Sequence, residues 1–300
     1  MSEQFHCGYI ALVGRPNVGK STLLNQLVGQ KLSITSRKPQ TTRHQIVGID
    51  TQADAQFIYI DTPGIHKANK RALHRYLNKA AKSAIQGVHV IAFLVEALSW
   101  TDEDELVLQN LQDAKSPVLL VVNKVDLVQD KEALLPFIQK ISASIDAKAV
   151  LLVSAKQNRH VDDLKQSIKT YLPESEAYYP DDQLTNKSSR FIAAEIVREK
   201  LIRFLGDELP YSTTVEIEKY DDQPELLKLH ALIWVERDNQ KAIVIGKQGK
   251  MLKKIGISAR EDLQQFFDKK VHLQTWVKVR SGWSDDERAL HQLGYQDELE

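Results

Sequence analysis

The sequence predicts two folded units: a doubly wound α/β domain with a mostly parallel sheet over residues 1–173, and a smaller α+β domain over 189–300, joined by a linker at 174–188. Three observations predict this. Up to about Tyr171, short β-branched apolar runs alternate with stretches whose apolar residues lie three and four apart, as in strands buried on both faces by crossover helices. LPESEAYYPDDQLTNKSSR, residues 172–190, then collects prolines, acids and small polar residues with little apolar periodicity, which is linker chemistry. From Arg190 helical and strand-like runs resume in a different order.

Composition sets outer limits. A chain of 300 residues accommodates about two domains. Its 40 basic and 40 acidic residues cancel, so any nucleic-acid contact has to be a local patch and not a whole-protein field. The single cysteine, Cys7, has no disulfide or CxxC partner, which fits a reducing, intracellular setting. MSEQFHCGYIALVG lacks the basic n-region and cleavage site of a signal peptide. The longest apolar run, VHVIAFLVEAL at 88–98, is broken by His89 and Glu96 and is shorter than the roughly 20 residues of a membrane span. The reading is a soluble chain.

In the first domain, YIALVG (9–14), QFIYID (56–61), VHVIAFLV (88–95), SPVLLVVN (116–123) and AKAVLLVS (147–154) read as buried strands. STLLNQLVGQ, the run 71–85, DEDELVLQNLQ and KEALLPFIQKISASI read as the helices between them. Doubly wound sheets bind ligands beyond the carboxyl ends of their strands, and motifs stand there. GRPNVGKS (14–21) has the spacing of a phosphate-binding loop, whose glycines allow a tight turn that aims backbone N–H groups at phosphates. The expected phosphate-binding set is Gly14, Asn17, Val18, Gly19, Lys20, Ser21 and Thr22, with Lys20 reaching the β- and γ-phosphates and the Ser21 hydroxyl on Mg²⁺.

Asp61-Thr62-Pro63-Gly64 ends the third strand. Asp61 is expected to hold Mg²⁺ through water, and the Gly64 N–H to bind the γ-phosphate while that group is present. Asn123-Lys124-Val125-Asp126 ends the fifth strand and decides the base. Guanine presents N1–H and a 2-amino group to one carboxylate, whereas adenine has an acceptor at N1; Asp126 therefore selects GTP over ATP. Ser154-Ala155-Lys156 follows the sixth strand and is expected to offer a backbone N–H to the guanine oxygen.

GRPNVGKS, TTR, DTPG, NKVD and SAK stand in residues 9–172 where a translation-factor-type GTPase domain has them, and that stretch resembles this family. The resemblance makes SITSRKPQTTRHQIVGID the first switch and Thr42 the residue that closes over Mg²⁺, with Thr41 as the near alternative; Lys20, Thr42 and Gly64 form the expected catalytic set. One departure bears on rate. Signalling GTPases carry a water-orienting glutamine after the DxxG glycine, and here Ile65 stands there, which can neither accept nor donate. Slow intrinsic turnover is expected. Asn17 resembles the asparagine that holds a monovalent cation in related GTPases without the glutamine, which implies stimulation by K⁺.

In the second domain RFIAAEIVREKLIRFLGDELP reads as a helix stopped at Pro210. STTVEIEKY (212–220), LLKLHALIWVERD (226–238) and KAIVIG (241–246) read as strands, MLKKIGISAREDLQQFF as a helix interrupted at Gly256, and KKVHLQTWVKV (269–279) as a last strand. Gly246-Lys247-Gln248-Gly249 has two residues between its glycines, and Met251 after Lys250 has no hydroxyl for Mg²⁺, so it is no second triphosphate loop. VIGKQGKMLKKIG instead matches the GxxG loop of a type II KH module, which clamps about four nucleotides of single-stranded nucleic acid. Five lysines and no acid lie between 241 and 254. The expected RNA-binding set is Gly246, Lys247, Gln248, Gly249 and Lys250, with Ile243, Ile245 and Ile255 lining a groove for bases.

A GTPase domain followed by one type II KH module resembles the Era family of bacterial GTPases over essentially the whole chain, including RSGWSDDERALHQLGY at 280–295. The resemblance implies GTP and GDP with Mg²⁺ as ligands, the 3′ end of 16S ribosomal RNA and the 30S subunit as partners, a monomer, and a cytoplasmic location with peripheral association at the inner membrane. Two other readings stay open: a membrane-surface GTPase whose lysine-rich loop meets anionic lipid, and a GTPase of RNA modification. Relatives of the latter carry a reactive cysteine or a folate-binding region, and Cys7, beside the first strand, reads as core.

Overall fold

In the computed structural model, residues 4–36, 38, 41–64, 72–206, 209–293 and 295 are described. Internal contacts divide the chain into two compact units, one drawn from 1–33, 42–69 and 74–186, the other from 34–41, 70–73 and 187–300.

The first unit contains strands β1 (His6–Val13), β2 (Ile46–Thr51), β3 (Ala55–Asp61), β4 (Val90–Glu96), β5 (Val118–Asn123) and β6 (Ala147–Leu152). Between them run helices α1 (Lys20–Val28), α2 (Ala72–Ser83, whose first two residues are counted with the second unit), α3 (Asp102–Leu111), α4 (Leu134–Ser142) and, after β6, α5 (Val161–Lys169). The sheet order is β2-β3-β1-β4-β5-β6, parallel throughout except for β2, which runs antiparallel to β3. Every residue of β3 and β5 is buried, as both-face coverage requires. Phe93, Val95, Leu120 and Val122 pack with Val107 and Leu111 of α3, each such side chain contributing about 1.5–3 kcal/mol. β6 departs from the expectation of a strand buried on both faces. It closes one edge of the sheet, and Val150 and Leu152 there are 39% and 36% exposed.

The expected linker at 174–188 is not slack. Cys7 N–H donates to Pro173 O and Ser175 N–H to Phe5 O, both at 3.1 Å. Gln56, fully buried, accepts from Tyr178 N–H (2.8 Å) and Tyr179 N–H (3.0 Å) and donates to Tyr179 O at 2.8 Å. Ile49 N–H donates to Leu184 O, and the Thr185 hydroxyl to Val47 O. Residues through Asn186 therefore belong to the first unit. Backbone hydrogen bonding, which lacks a periodicity signature, holds what composition reads as linker.

The second unit contains α6 (Ser189–Phe204), β7 (Thr213–Asp222), β8 (Leu226–Val235), α7 (Asp238–Ile245), α8 (Lys250–Phe267), β9 (Lys270–Val279) and α9 (Glu287–Gln292). Its sheet runs β7-β8-β9, with β7 antiparallel and β9 parallel to β8. The order α-β-β-α-α-β is the type II KH arrangement. Two expectations are corrected. KAIVIG is not a strand but the body of α7, because the Gln240 side chain accepts from the Glu236 and Arg237 N–H groups and starts a helix there. α8 is not interrupted at Gly256; it runs unbroken for 18 residues.

α6 begins at Ser188, whose side chain accepts from Phe191 N–H. Its Ile192, Ile196 and Val197 pack with Leu229, Ala259 and Leu263. Its charged residues Glu195, Arg198, Glu199 and Lys200 are buried too. Uncompensated, such charges would each cost several kcal/mol, on the order estimated for buried ions. Arg198 binds both Glu195 oxygens (2.6 and 2.7 Å), Lys200 pairs with Asp262, and Glu199 accepts from Arg203 and from Thr35 N–H. This helix thus buries a charged network beside its apolar residues.

Candidate functional site

β1 ends at the phosphate-type loop, and α1 starts at Lys20 directly after Gly19. Asn17 within the loop holds a positive φ of 63°, a conformation asparagine tolerates better than most residues. The Lys20 ammonium donates to Gly14 O (2.8 Å) and Arg15 O (2.9 Å), and burial pushes its pKa down to about 8. Thr22 sits in the first turn of α1.

Oxygen ligands converge one residue further on. Ser21 Oγ donates to Asp61 Oδ2 at 2.7 Å and shares a hydrogen bond with Thr42 Oγ1, also at 2.7 Å. Ser33 Oγ donates to the same Asp61 oxygen at 2.9 Å. Asp61 is fully buried, which raises its carboxyl pKa, and its Oδ1 is buried with no hydrogen-bond partner among the described residues. An all-oxygen set around an unsatisfied carboxylate oxygen suits a hard divalent cation such as Mg²⁺. Thr41 faces elsewhere: its hydroxyl donates to Lys38 O (2.7 Å) and meets Ser36 Oγ (2.7 Å). Of the two threonines, Thr42 is the one the fold brings to this cluster. Ser33 opens the segment expected as the first switch, but pattern reading gives it no role there. Gly64 passes directly against the loop, since a Cβ there would come within 2.7 Å of Pro16 N. Ile65 lies outside the described residues.

The residues expected to read the base assemble from two strand ends. Asn123, 2% exposed, donates through Nδ2 to Val18 O (2.8 Å) and accepts through Oδ1 from Ala155 N–H (3.0 Å). Ser154 Oγ donates to Asp126 Oδ1 at 2.6 Å. Val18, Asn123, Asp126, Ser154 and Ala155 are thereby brought together from three sequence motifs. Of the Ser154-Ala155-Lys156 backbone, expected to offer an N–H to the guanine oxygen, the Ala155 N–H is engaged by Asn123. Lys124 adopts φ 64° and its Nζ donates to Glu96. Lys156 is exposed in the short turn that follows.

In the second unit, Gly246, Lys247, Gln248 and Gly249 link α7 to α8. Gly246 has φ 71°, and a Cβ there would fall 2.6 Å from Met251 Cβ, so the turn admits glycine alone. Lys247, Gln248 and Lys250 are exposed. Of the apolar residues assigned to a base groove, Ile243 is 52% exposed and Ile245 is partly buried against the core. Ile255 is a correction. It is fully buried in the core with Leu201, Val244 and Val277 and presents no surface to a base. Ile257, 43% exposed on α8, is an apolar surface residue outside the expected set.

Comparison with known proteins bears on both units. Residues 9–124 match the family described as 50S ribosome-binding GTPase, and residues 208–284 match the KH domain. GTPase Era of Vibrio vulnificus is 54% identical over 300 residues, covering 99% of this chain and 94% of that protein. GTPase Era of Azotobacter vinelandii is 54% identical over 299 residues, covering 99% of this chain and 100% of that one. A crystal structure of an Aquifex aeolicus Era variant bound to GDP and AlF₄⁻ superimposes with a TM-score of 0.94 at 37% identity, covering 98% of this chain and 100% of that one. A structure of Era with MgGDPNP and nucleotides 1506–1542 of 16S ribosomal RNA gives the same TM-score, identity and coverage. With a phosphate-binding loop, a guanine-reading network and a GxxG loop in one chain, and this identity over nearly its full length, the chain belongs to the Era family of GTPases.

Proposed function

We propose that this chain is a slowly hydrolysing GTP switch that binds the 3′ region of 16S ribosomal RNA through its GKQG loop and acts in maturation of the 30S subunit. The observation that carries the reading is the similarity, across 98% of the chain, to Era in complex with MgGDPNP and that RNA segment. In this reading the Lys20 ammonium leaves the Gly14 and Arg15 carbonyls for the β- and γ-phosphates, while the N–H groups of Asn17 to Thr22 surround them. Ser21, Thr42 and Asp61 hold Mg²⁺, which supplies neutralisation of the charge that develops between the β- and γ-phosphates. The Gly64 N–H reports the presence of the γ-phosphate, a contact that hydrolysis removes. Asp126 reads guanine, and Asn123 with Ser154, Ala155 and Lys156 shapes the base pocket.

RNA enters at a different loop. Exposed Lys247 and Lys250 meet phosphates beside the backbone of Gly246 to Gly249, while Ile243 and Ile245 offer apolar surface to bases. The test uses the full chain, GTP and a labelled RNA of nucleotides 1506–1542. Gly246→Asp should weaken RNA binding by at least about tenfold through lost backbone approach and added like charge, with hydrolysis retained. Equal RNA affinity in parent and variant would sink the reading. Tighter binding of anionic vesicles than of RNA would favour a lipid-facing loop instead.

Two finer points belong to the same reading. Asn17 holds a K⁺ ion against the phosphates, so hydrolysis should run faster in K⁺ than in Na⁺; equal rates in both salts, with Asn17→Ala indifferent, would remove the ion. The protein works as a cytoplasmic monomer with peripheral attachment to the inner membrane. Among the described residues no helix is long and apolar enough to cross a membrane, so such attachment would be at the surface, and vesicle co-sedimentation measures it.

A further inference from the structure

Glu96 belongs to none of the motifs, and in the sequence it only interrupts an apolar run. In the fold it ends β4, paired with Asn123, and Ala97 N–H donates to Asn123 O at 2.9 Å. Its Oε2 accepts from Arg15 Nη2 at 3.0 Å and from Lys124 Nζ at 2.8 Å. Arg15 lies inside the phosphate-binding loop and Lys124 inside the base-reading loop. We propose that Glu96 is a positioning residue for nucleotide binding, a carboxylate bridge that fixes the phosphate-binding loop and the base-reading loop in one spacing.

Three further observations support the bridge. First, Arg15 has further partners: Nε donates to Asp104 Oδ2 (2.9 Å), and Nη2, which also donates to Glu96, reaches Ser99 Oγ (3.2 Å). Asp104 is fully buried and also accepts from the Thr101 N–H and hydroxyl, so Arg15 is tied to the first turn of α3. The backbone of Arg15 in turn supplies the carbonyl that accepts from Lys20. Second, the turn that presents Glu96 and Ser99 puts Leu98 at φ 59°, and Lys124 itself stands at φ 64°. Positive φ at large non-glycine residues costs about 1–3 kcal/mol and persists where surroundings over-determine it. Third, Arg15, Glu96 and Lys124 side chains are only 13%, 27% and 27% exposed, so water screens them less than an open surface pair.

Without the carboxylate, Arg15 and Lys124 would face each other as like charges across the seam. Among the described residues, the hydrogen bond from Asn123 Nδ2 to Val18 O would still join the two loops. Glu96 touches neither the loop's phosphate-facing amides nor the Asp126 carboxylate, so its loss should loosen nucleotide retention more than it slows the chemical step.

The experiment measures release of fluorescent GDP, the affinity ratio of GDP to IDP, which lacks the 2-amino group, and KM with kcat for GTP. Glu96→Ala should release GDP about tenfold faster, the loss expected for a charge-assisted bond. KM should rise by a larger factor than kcat falls, and the GDP-to-IDP ratio should drop as the base loop loosens. Glu96→Gln, equal in shape, should give an intermediate effect. Adding Lys124→Ala to Glu96→Ala should cost less than the sum of the two. Release rates and base ratios within about twofold of the parent in both Glu96 variants would overturn the proposal, being smaller than the loss of one ordinary hydrogen bond. So would a fall in kcat equal to the rise in KM with the base ratio unmoved, which marks a general structural role. Should Glu96→Ala not fold, the same measurements on Glu96→Gln decide between these outcomes.

Discussion

The Ser21 and Thr42 hydroxyls stand 2.7 Å apart, and Ser21 in turn donates to Asp61. The neighbouring Thr41 hydroxyl is spent on Lys38 O and Ser36. If this cluster holds Mg²⁺, the two threonines separate sharply in function. Thr42→Ala should lower GTP hydrolysis by about 10–100-fold, the range seen when groups ordering a metal are removed. It should also raise the Mg²⁺ concentration needed for half-maximal rate, with GDP affinity little changed. Thr41→Ala should shift neither quantity by more than about threefold, within the roughly 0.5–1.5 kcal/mol of one ordinary hydrogen bond. Steady-state hydrolysis across a Mg²⁺ titration decides, and equal effects of the two substitutions would count against the assignment.

Burial holds the Lys20 pKa down to about 8, below its ordinary 10.5. The sign follows from proton counting. Between pH 8 and 10.5 the unfolded chain binds more protons at this residue than the folded one, so nucleotide-free stability gains from it as pH rises through that window. Nucleotide binding should move oppositely, because phosphates need the ammonium. At about pH 8.5 roughly a quarter of the free protein carries the charge, so GDP affinity should fall about fourfold relative to about pH 7. Binding at about pH 8.5 should take up about three quarters of a proton, which calorimetry in two buffers of different ionisation heat reads directly. No proton uptake would mean that Lys20 is charged in the free protein.

Lys250 and Lys254 lie on the same helix but in different company. Lys250 is exposed at the GKQG turn, whereas Lys254 Nζ sits 4.5 Å from the centre of the Phe204 ring. Lys250→Ala should weaken RNA binding and reduce the slope of log affinity against log salt by about 0.7, one phosphate contact on a single strand. Lys254→Ala should leave the slope nearly unchanged and instead cost about 0.5–1 kcal/mol of stability, a cation–π contact. Anisotropy titrations at several salt concentrations, with denaturant melts alongside, separate the two.

GRPNVGKS, DTPG and NKVD were legible because each follows a strand (β1, β3 or β5) whose burial leaves an unbroken apolar run, whereas Ser154-Ala155-Lys156 follows the half-exposed edge strand β6. KAIVIG looks like such a run and is a helix: its β-branched residues are fully buried only at Val244, and the start signal is a side-chain bond from Gln240 that period-2 reading ignores. Ile255 matches the KH pattern for a structural reason, being core, and not for the surface role assigned to it. Glu96 and Ser33 were invisible for another reason. Their partners Arg15 and Lys124, and Asp61, are distant in sequence, and only the parallel register of β4 with β5 or the return of the chain after α1 brings them together. Spacing finds residues that act as neighbours in one loop; it does not find those that join two loops.

Gln56 is the plainest case of such a hidden join. It lies in a run that reads simply as strand, yet it is fully buried, and its amide accepts from the Tyr178 and Tyr179 N–H groups while donating to Thr51 Oγ1 and Tyr179 O. Gln56→Leu keeps the volume but leaves two backbone donors and a carbonyl without partners. At about 1–3 kcal/mol for each buried unsatisfied group, partly relieved by water reaching the peeled segment, the loss should be about 3 kcal/mol. For a unit of this size that is a fall in melting temperature of about 6–12 °C. Because the lost bonds tie residues 178–179 to β3, protease cleavage should appear first between 173 and 186, ahead of global unfolding. Guanine-nucleotide affinity at a temperature where the variant is folded should remain close to the parent, since no nucleotide-site residue described above touches Gln56. A variant as stable as the parent, or one that loses GDP affinity while resisting protease at 173–186, would show that this segment is held by something other than the Gln56 amide.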